Sequence, residues 1–502
     1  MDMIDHLWLG LQTAGTLYNL MYCFIGVFLG TAIGVLPGLG PVATIAMLLP
    51  LTFGLPAETS LIMLAGIYYG SQYGGSTTAI LVNLPGESSS VVTAIDGYQM
   101  ARQGLAGKAL FTAAIGSFFA GTVATVLIAA FAPPLAQMAL KFAPADYFSL
   151  MVLGLMCSVV LAHGSVLKAV GMVVLGLLIG MIGMDVNSGV QRYTFGTPEL
   201  FDGLDLVAIA IGIFAVGEVV ANLENGMSRD LNLTKVSGLW PTRKDLAVIS
   251  KPILRGTLLG SCLGILPGGG ALLSSFAAYS LEKKLSKTPE RFGHGAIEGV
   301  AGPESANNAG AQTSFVPMLT LGIPSNPVMA LMIGAMIIQG IQPGPSVISS
   351  QPVLFWGIIV SMWIGNIMLL VLNLPLISMW VKMIQIPYRY LFPAVLSFCV
   401  IGVYTQSNTT FEVYVMAFSG ITGYLLRKLE CEPAPFLLGL ILGPMMEEYL
   451  RRAFLLSRGD WTVFFTRPIS LTLLLISAVL LLSILLPSIR KTRDVAFEES
   501  ET

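Results

Sequence analysis

The stretch Gly34-Val-Leu-Pro-Gly-Leu-Gly40 decides how this chain is read, because it returns 230 residues later as Gly264-Ile-Leu-Pro-Gly-Gly-Gly270. Both copies interrupt long apolar runs. Proline lacks the amide hydrogen and glycine loses the most entropy on being held helical, so each copy breaks a helix. Two more correspondences follow in the same order. Gly74-Gly-Ser-Thr-Thr78 with Asn83-Leu-Pro-Gly86 resembles Ala309-Gly-Ala-Gln-Thr-Ser314 with Gly322-Ile-Pro-Ser325. Further on, Pro144-Ala-Asp-Tyr147 resembles Pro387-Tyr-Arg-Tyr390. Three ordered matches point to a duplicated half. The expected division is a first repeat over residues 1–225, a polar linker over 226–252, a second repeat over 253–455, and an additional helix with a charged tail over 456–502.

Composition places both halves in a membrane. Of 502 residues, 55% are hydrophobic and 11% charged, with a net charge of −2, whereas a soluble domain carries roughly 25% charged residues. At roughly 20 residues per crossing, the apolar content suffices for about 10 to 14 spans. That excludes a soluble enzyme, a disordered chain and a nucleic-acid binder with a basic face. Runs such as Leu471 to Leu486 do not alternate in polarity, so helices rather than barrel strands are expected. Residues 41–54 are too few to span and read as a half-helix or re-entrant arm. Five scattered cysteines without Cys-x-x-Cys, and three distant histidines, indicate neither redox nor zinc chemistry. The first residues, Met1 to His6, carry two aspartates and no basic residue, so the first helix is expected to remain in the mature protein. Arg229, Lys235, Arg243, Lys244 and Lys251 argue that the linker is cytoplasmic. Inverted repeats are expected, which requires an odd number of helices in each half.

Breaking a helix in lipid frees backbone groups that hydrocarbon cannot satisfy, so breaks survive only where they are buried in protein or line a polar cavity. Transporters place such breaks at matching positions of two repeats. Helix N-termini there offer N–H donors and partial positive charge to anions. On this reasoning a carboxylate is met by Ser76, Thr77, Thr78, Asn83 and the amides near Gly86 in one half, and by Asn307, Asn308, Thr313, Ser325 and Asn326 in the other. Gly38, Gly40, Gly268 and Gly270 are expected to leave carbonyls open for a coupling cation, with sodium favoured and a proton as the alternative. Glu87 and Glu304 would repel an anion unless protonated or paired, and take structural or ion-related roles. For any one of these residues close helix packing is the competing reading, since small residues and back-bonded hydroxyls serve it too. Glu218, Glu447 and Glu448 close apolar segments and read as interfacial anchors or as coupling sites.

These motifs bring a family into view. Tyr68-Tyr-Gly-Ser-Gln-Tyr-Gly-Gly-Ser-Thr-Thr78, Asn83-Leu-Pro-Gly86 and Asp96-Gly-Tyr-Gln-Met-Ala-Arg-Gln-Gly104 resemble the large membrane subunit of tripartite tricarboxylate transporters, the TctA family. Gly302-Pro-Glu-Ser-Ala-Asn-Asn-Ala-Gly310 and Leu321-Gly-Ile-Pro324 resemble its second signature. The likeness runs over about residues 15 to 455. It implies a multi-pass carrier in a bacterial inner membrane, importing a di- or tricarboxylate such as citrate on a cation gradient. It also implies a small four-helix membrane subunit and a periplasmic solute-binding protein as partners, and an elevator-type motion of the two hairpins. The fold class expected is thus an all-α polytopic membrane protein with two repeats, re-entrant hairpins and broken helices. No enzymatic activity, nucleic-acid partner, cofactor or metal beyond transported sodium is expected. The rivals are a passive organic-anion channel and a membrane-embedded hydrolase using Ser88-Ser-Ser90.

Overall fold

The computed structural model describes residues 3–162, 165–185, 188–224, 236, 238–266 and 270–485. Gly268, residues 226–235 and 237 of the linker, and the basic tail therefore lie outside the described residues. The chain is built almost wholly of helices. One two-stranded ribbon, Gly183–Met184 against Gln191–Arg192, is the exception among the described residues.

Six of the described helices are long and apolar enough to cross a bilayer: Leu17–Gly34, Ala106–Ala139, Leu206–Glu224, Arg243–Leu263, Pro352–Asn373 and Arg389–Ser407. This is fewer than the apolar content suggested, because much of it sits in shorter pieces. Pro41–Leu48 runs into a 3-10 turn over Leu49–Thr52; at 1.5 Å per residue the pair reaches about 18 Å, short of a core roughly 30 Å thick. The helix at Arg243 starts inside the stretch read as linker. Thr242 and Asp245 form a reciprocal cap there: the Asp245 amide donates to Thr242 Oγ1 at 3.2 Å and the Thr242 amide to Asp245 Oδ2 at 2.8 Å.

Two helices fill the centre, and neither is among these six spans. Ala57–Val82 is buried from Thr59 to Leu81, and Glu298–Thr313 from Gly299 to Thr313, although both are rich in polar residues. Each is held by an outer helix through a stripe of small residues at every fourth position. A Cβ on Gly26, Gly30 or Gly34 would run into the carbonyl oxygens of Met63, Ile67 and Ser71. A Cβ on Gly256, Gly260 or Gly264 would meet those of Gly302, Ala306 and Gly310 in the same way. Without a hydrophobic drive between helices in lipid, this backbone-to-backbone approach supplies the packing energy.

Both central helices end in a left-handed residue followed by a proline. Asn83 has φ 55° and Gly322, after the continuation Phe315–Leu321, has φ 71°. The chain then turns back as Ser90–Arg102 and Pro327–Ile338. At the C-terminal end, Arg467 Nη2 donates to the buried Asp146 Oδ2 at 2.7 Å, and Ser470 Oγ lies 2.7 Å from Ser149 Oγ. These contacts seat the Pro468–Leu485 helix on Pro144–Leu161.

Candidate functional site

The breaks and the tips meet around one cavity of about 530 Å³. Its walls are the break Gly38–Ala43, the tip Pro85–Ser89, the break end Gly270–Leu272, the tip Asn326–Val328, and the segment Glu432–Pro435. Close glycine contacts bring these pieces together. A Cβ on Gly40 would stand 2.9 Å from the Gly86 carbonyl oxygen, and one on Gly270 3.5 Å from Asn326 Nδ2. Gly86 itself is wedged against Gly75 of the central helix.

Five helices begin at this cavity: Pro41–Leu48, Ser90–Arg102, Gly270–Leu285, Pro327–Ile338 and Pro433–Leu456. Three have proline at the first helical position, where its fixed φ suits the helix and its missing N–H is no loss. Asn326 caps its own helix, accepting from the Met329 amide at 2.9 Å. Gly40 and Ser89 provide no side-chain cap; the Ser90 amide donates to the Glu87 carbonyl at 3.2 Å, and the first-turn amides beyond it and beyond Pro41 have no capping side chain. The converging N-termini aim N–H groups and partial positive charge into a cavity whose lining has no lysine and also holds Glu87, Glu218 and Glu432.

One arginine completes the wall. Arg427, at the end of the Thr410–Lys428 helix, pairs with Glu218, and its Nε is buried without a hydrogen-bond partner. Asn222 Nδ2 donates to Glu218 Oε1 at 3.3 Å and packs against Gly38, whose φ of 86° only glycine tolerates well. Arg427 carries an unfilled donor, therefore, while Glu218 is supplied from two sides.

A second polar region is built around Glu304. Glu304 is buried, and its Oε1 accepts from Ser76 Oγ at 2.8 Å, Ser117 Oγ at 3.1 Å and Asn308 Nδ2 at 3.2 Å. Thr93 Oγ1 donates to its Oε2 at 2.9 Å. Helices from both halves converge on this one carboxylate. Beside it, Gln312 Oε1 accepts from Thr125 Oγ1 at 2.5 Å, and Tyr73 donates to Asn366 Oδ1 at 3.1 Å.

The residues singled out from sequence divide between these regions. Gly38, Gly40, Gly86, Gly270 and Asn326 line the cavity, and Asn307 reaches it through Glu87, to which its Nδ2 donates at 2.9 Å. Ser76 and Asn308 belong to the Glu304 cage instead. Thr77, Thr78 and Thr313 donate to carbonyls of their own helices, those of Tyr73, Gly74 and Ala309, at 3.0, 3.1 and 2.9 Å. Ser325 Oγ donates to the Ser314 carbonyl at 3.3 Å, and Asn83 is exposed at its turn. Arg427 and Glu218 were not foreseen as a pair, because 209 residues separate them. The signature around Asp96 lies elsewhere too. Asp96 accepts from the amides of Gly293, Gly295 and Ala296 at 2.9, 2.8 and 2.8 Å, and from the Tyr279 hydroxyl at 2.9 Å. It clamps the first hairpin to the second half.

The sequence pattern of the tripartite tricarboxylate transporter TctA family matches residues 20–438. The chain belongs to that family. The TctA chain is thus a multi-pass membrane protein and the large membrane subunit of a tripartite transporter, a system that includes a small subunit and a periplasmic binding protein. Two proteins of Agrobacterium vitis are similar to it. One, described as an uncharacterized 52.8 kDa protein in the TAR-I ttuC' 3' region, is 62% identical over 501 residues and covers 100% of both chains. The other, an uncharacterized protein in the TAR-II ttuC' 3' region, is 64% identical over 242 residues, 48% of this chain and 100% of its own length. No solved structure matches the TctA chain significantly.

Proposed function

We propose that this subunit imports a di- or tricarboxylate of citrate type across a bacterial inner membrane, as a secondary active carrier driven by a cation gradient. A periplasmic binding protein would deliver the ligand. The observation that carries this reading is the arrangement of five helix N-termini and an incompletely satisfied arginine around one cavity. At about 530 Å³ the cavity has the size of a small-molecule site. Neutral N–H donors hold an anion without the desolvation cost of several buried cations, so the ligand is both bound and released. A carboxylate entering the cavity meets Arg427 and the uncapped amides behind Gly40 and Ser89. Gly40 and Gly270 stand at helix N-termini, where the partial positive charge favours the anion over a cation.

The carrier fold we propose is a pair of inverted repeats moving in elevator fashion. Gly26, Gly30 and Gly34 precede Gly256, Gly260 and Gly264 by 230 residues, and Asn83 precedes Gly322 by 239. Matching contacts at matching spacings support descent of the two halves from one unit, and the two tips would travel together with the ligand between them.

Uptake into proteoliposomes containing the complete tripartite complex tests the site. Arg427→Gln raises the KM for the transported carboxylate at least tenfold while the complex still assembles. Unaltered KM in that variant rules out the cavity as the carboxylate site.

A further inference from the structure

The same cavity has unfilled acceptors as well as an unfilled donor. Gln72 Oε1, on the cavity wall, and Asn307 Oδ1, at its edge, are buried without hydrogen-bond partners, and both side chains are almost fully enclosed. Between the tip and the second central helix stands Glu87, whose Oε1 accepts from Asn307 Nδ2 at 2.9 Å. We infer that Glu87, Asn307 and Gln72 form a binding site for a monovalent cation of sodium size; this rests on the carboxylate reading only in placing both ions in one cavity.

With Asn307 Nδ2 donating to Glu87, the Asn307 Oδ1 is left without protein partners. A buried carbonyl oxygen without a donor is unfavourable unless something else fills it. The titratable groups near Glu87 are the Tyr68 hydroxyl and Glu304, and Asn307 donates a hydrogen bond to it. No positive side chain is among them. Tyr68, one helical turn before Gln72, is also directed at Gln72, Ser314 and Asn326, which places the Gln72 amide beside the tip.

The donor set selects the ion. One carboxylate with two amide oxygens supplies a single negative charge and only hard oxygen ligands. That suits sodium, whereas calcium takes more carboxylates and zinc prefers nitrogen or sulfur. Glu87 supplies the one negative charge of the set, and the Asn307 amide holds its Oε1 in place at 2.9 Å. Because the cation neutralises Glu87, it removes repulsion from an incoming anion, and by linkage the anion tightens the cation equally.

The test is equilibrium binding of radioactive sodium to the purified chain, without carboxylate and with choline as the replacing ion. The native chain binds sodium saturably. Glu87→Gln and Gln72→Met each weaken binding at least tenfold, with monodisperse elution on size exclusion reporting an intact fold. Asn307→Asp, which adds a carboxylate in nearly the same volume, keeps or tightens binding. Absence of saturable sodium binding, or binding unchanged by Glu87→Gln, overturns the site. The carboxylate reading fails separately, if Arg427→Gln leaves carboxylate affinity unchanged at saturating sodium.

Discussion

The two hairpin tips share a plan and differ where it matters. Each ends a central helix in a left-handed residue, passes through a proline and starts a new helix at the cavity. The second tip is enclosed: Gly322, Ile323, Pro324 and Ser325 are buried, and Asn326 spends its side chain capping Pro327–Ile338. The first tip is more open, with Asn83 and Ser88 exposed, and its helix has no side-chain cap. At the position matching Asn326 it carries Glu87, which faces the cavity instead of the helix. A neutral, self-capped tip contributes shape and a helix dipole. A tip with a carboxyl group and no side-chain cap contributes chemistry.

Replacing the carboxylate is expected to have the largest effect. Glu87→Asn makes the first tip resemble the second, and sodium-driven accumulation in proteoliposomes falls by at least a hundredfold. Accumulation within threefold of the native level would erase the functional difference between the tips.

Next come the turn residues. Gly322→Ala places a Cβ 2.6 Å from the Pro343 carbonyl oxygen at a φ of 71°. The strain and clash are expected to destabilise the protein by about 2 kcal/mol, read as a lowered Tm in detergent. Asn83→Gly should act in the opposite direction, because Asn83 already holds φ 55° in open surroundings; a gain of up to about 1 kcal/mol is expected from relieved strain, offset in part by unfolded-state entropy. Equal effects of the two substitutions would show that enclosure does not distinguish the tips.

Cap loss ranks lower. Asn326→Ala leaves the Met329 amide unpaired and costs about 1 kcal/mol, with carboxylate affinity changed no more than tenfold. The smallest effect is expected from Thr78→Val. The hydroxyl of Thr78 is engaged with its own helix at Gly74 and Gly75, so uptake stays within about twofold of native. A larger loss would return Thr78 to the binding site.

Much of this architecture was legible in the sequence, for identifiable reasons. Helix breaks in lipid need Gly and Pro, and these are visible as letters: the interruptions at Gly34–Gly40 and Asn83–Gly86 stand where the structure turns. The polar patches were legible as patches, but their division was not. Ser76 and Asn308 face Glu304 because of where four helices cross, and helix rotation is set by packing that no local spacing reveals. Thr77, Thr78 and Thr313 have the composition of a binding site and the geometry of helix-internal hydroxyls. Arg427 looked like an ordinary basic residue in the last turn of a helix, and only its meeting with Glu218 at the cavity gives it meaning.

The central claim is that one cavity holds an anion and a cation together, with Glu87 as the link. Titration calorimetry of the transported carboxylate into the purified chain, repeated across sodium concentrations at constant ionic strength, tests it most directly. The account predicts that sodium tightens carboxylate binding at least tenfold in the native chain and has no effect in Glu87→Gln. Carboxylate affinity that ignores sodium in the native chain, or depends on it equally in the variant, would contradict it.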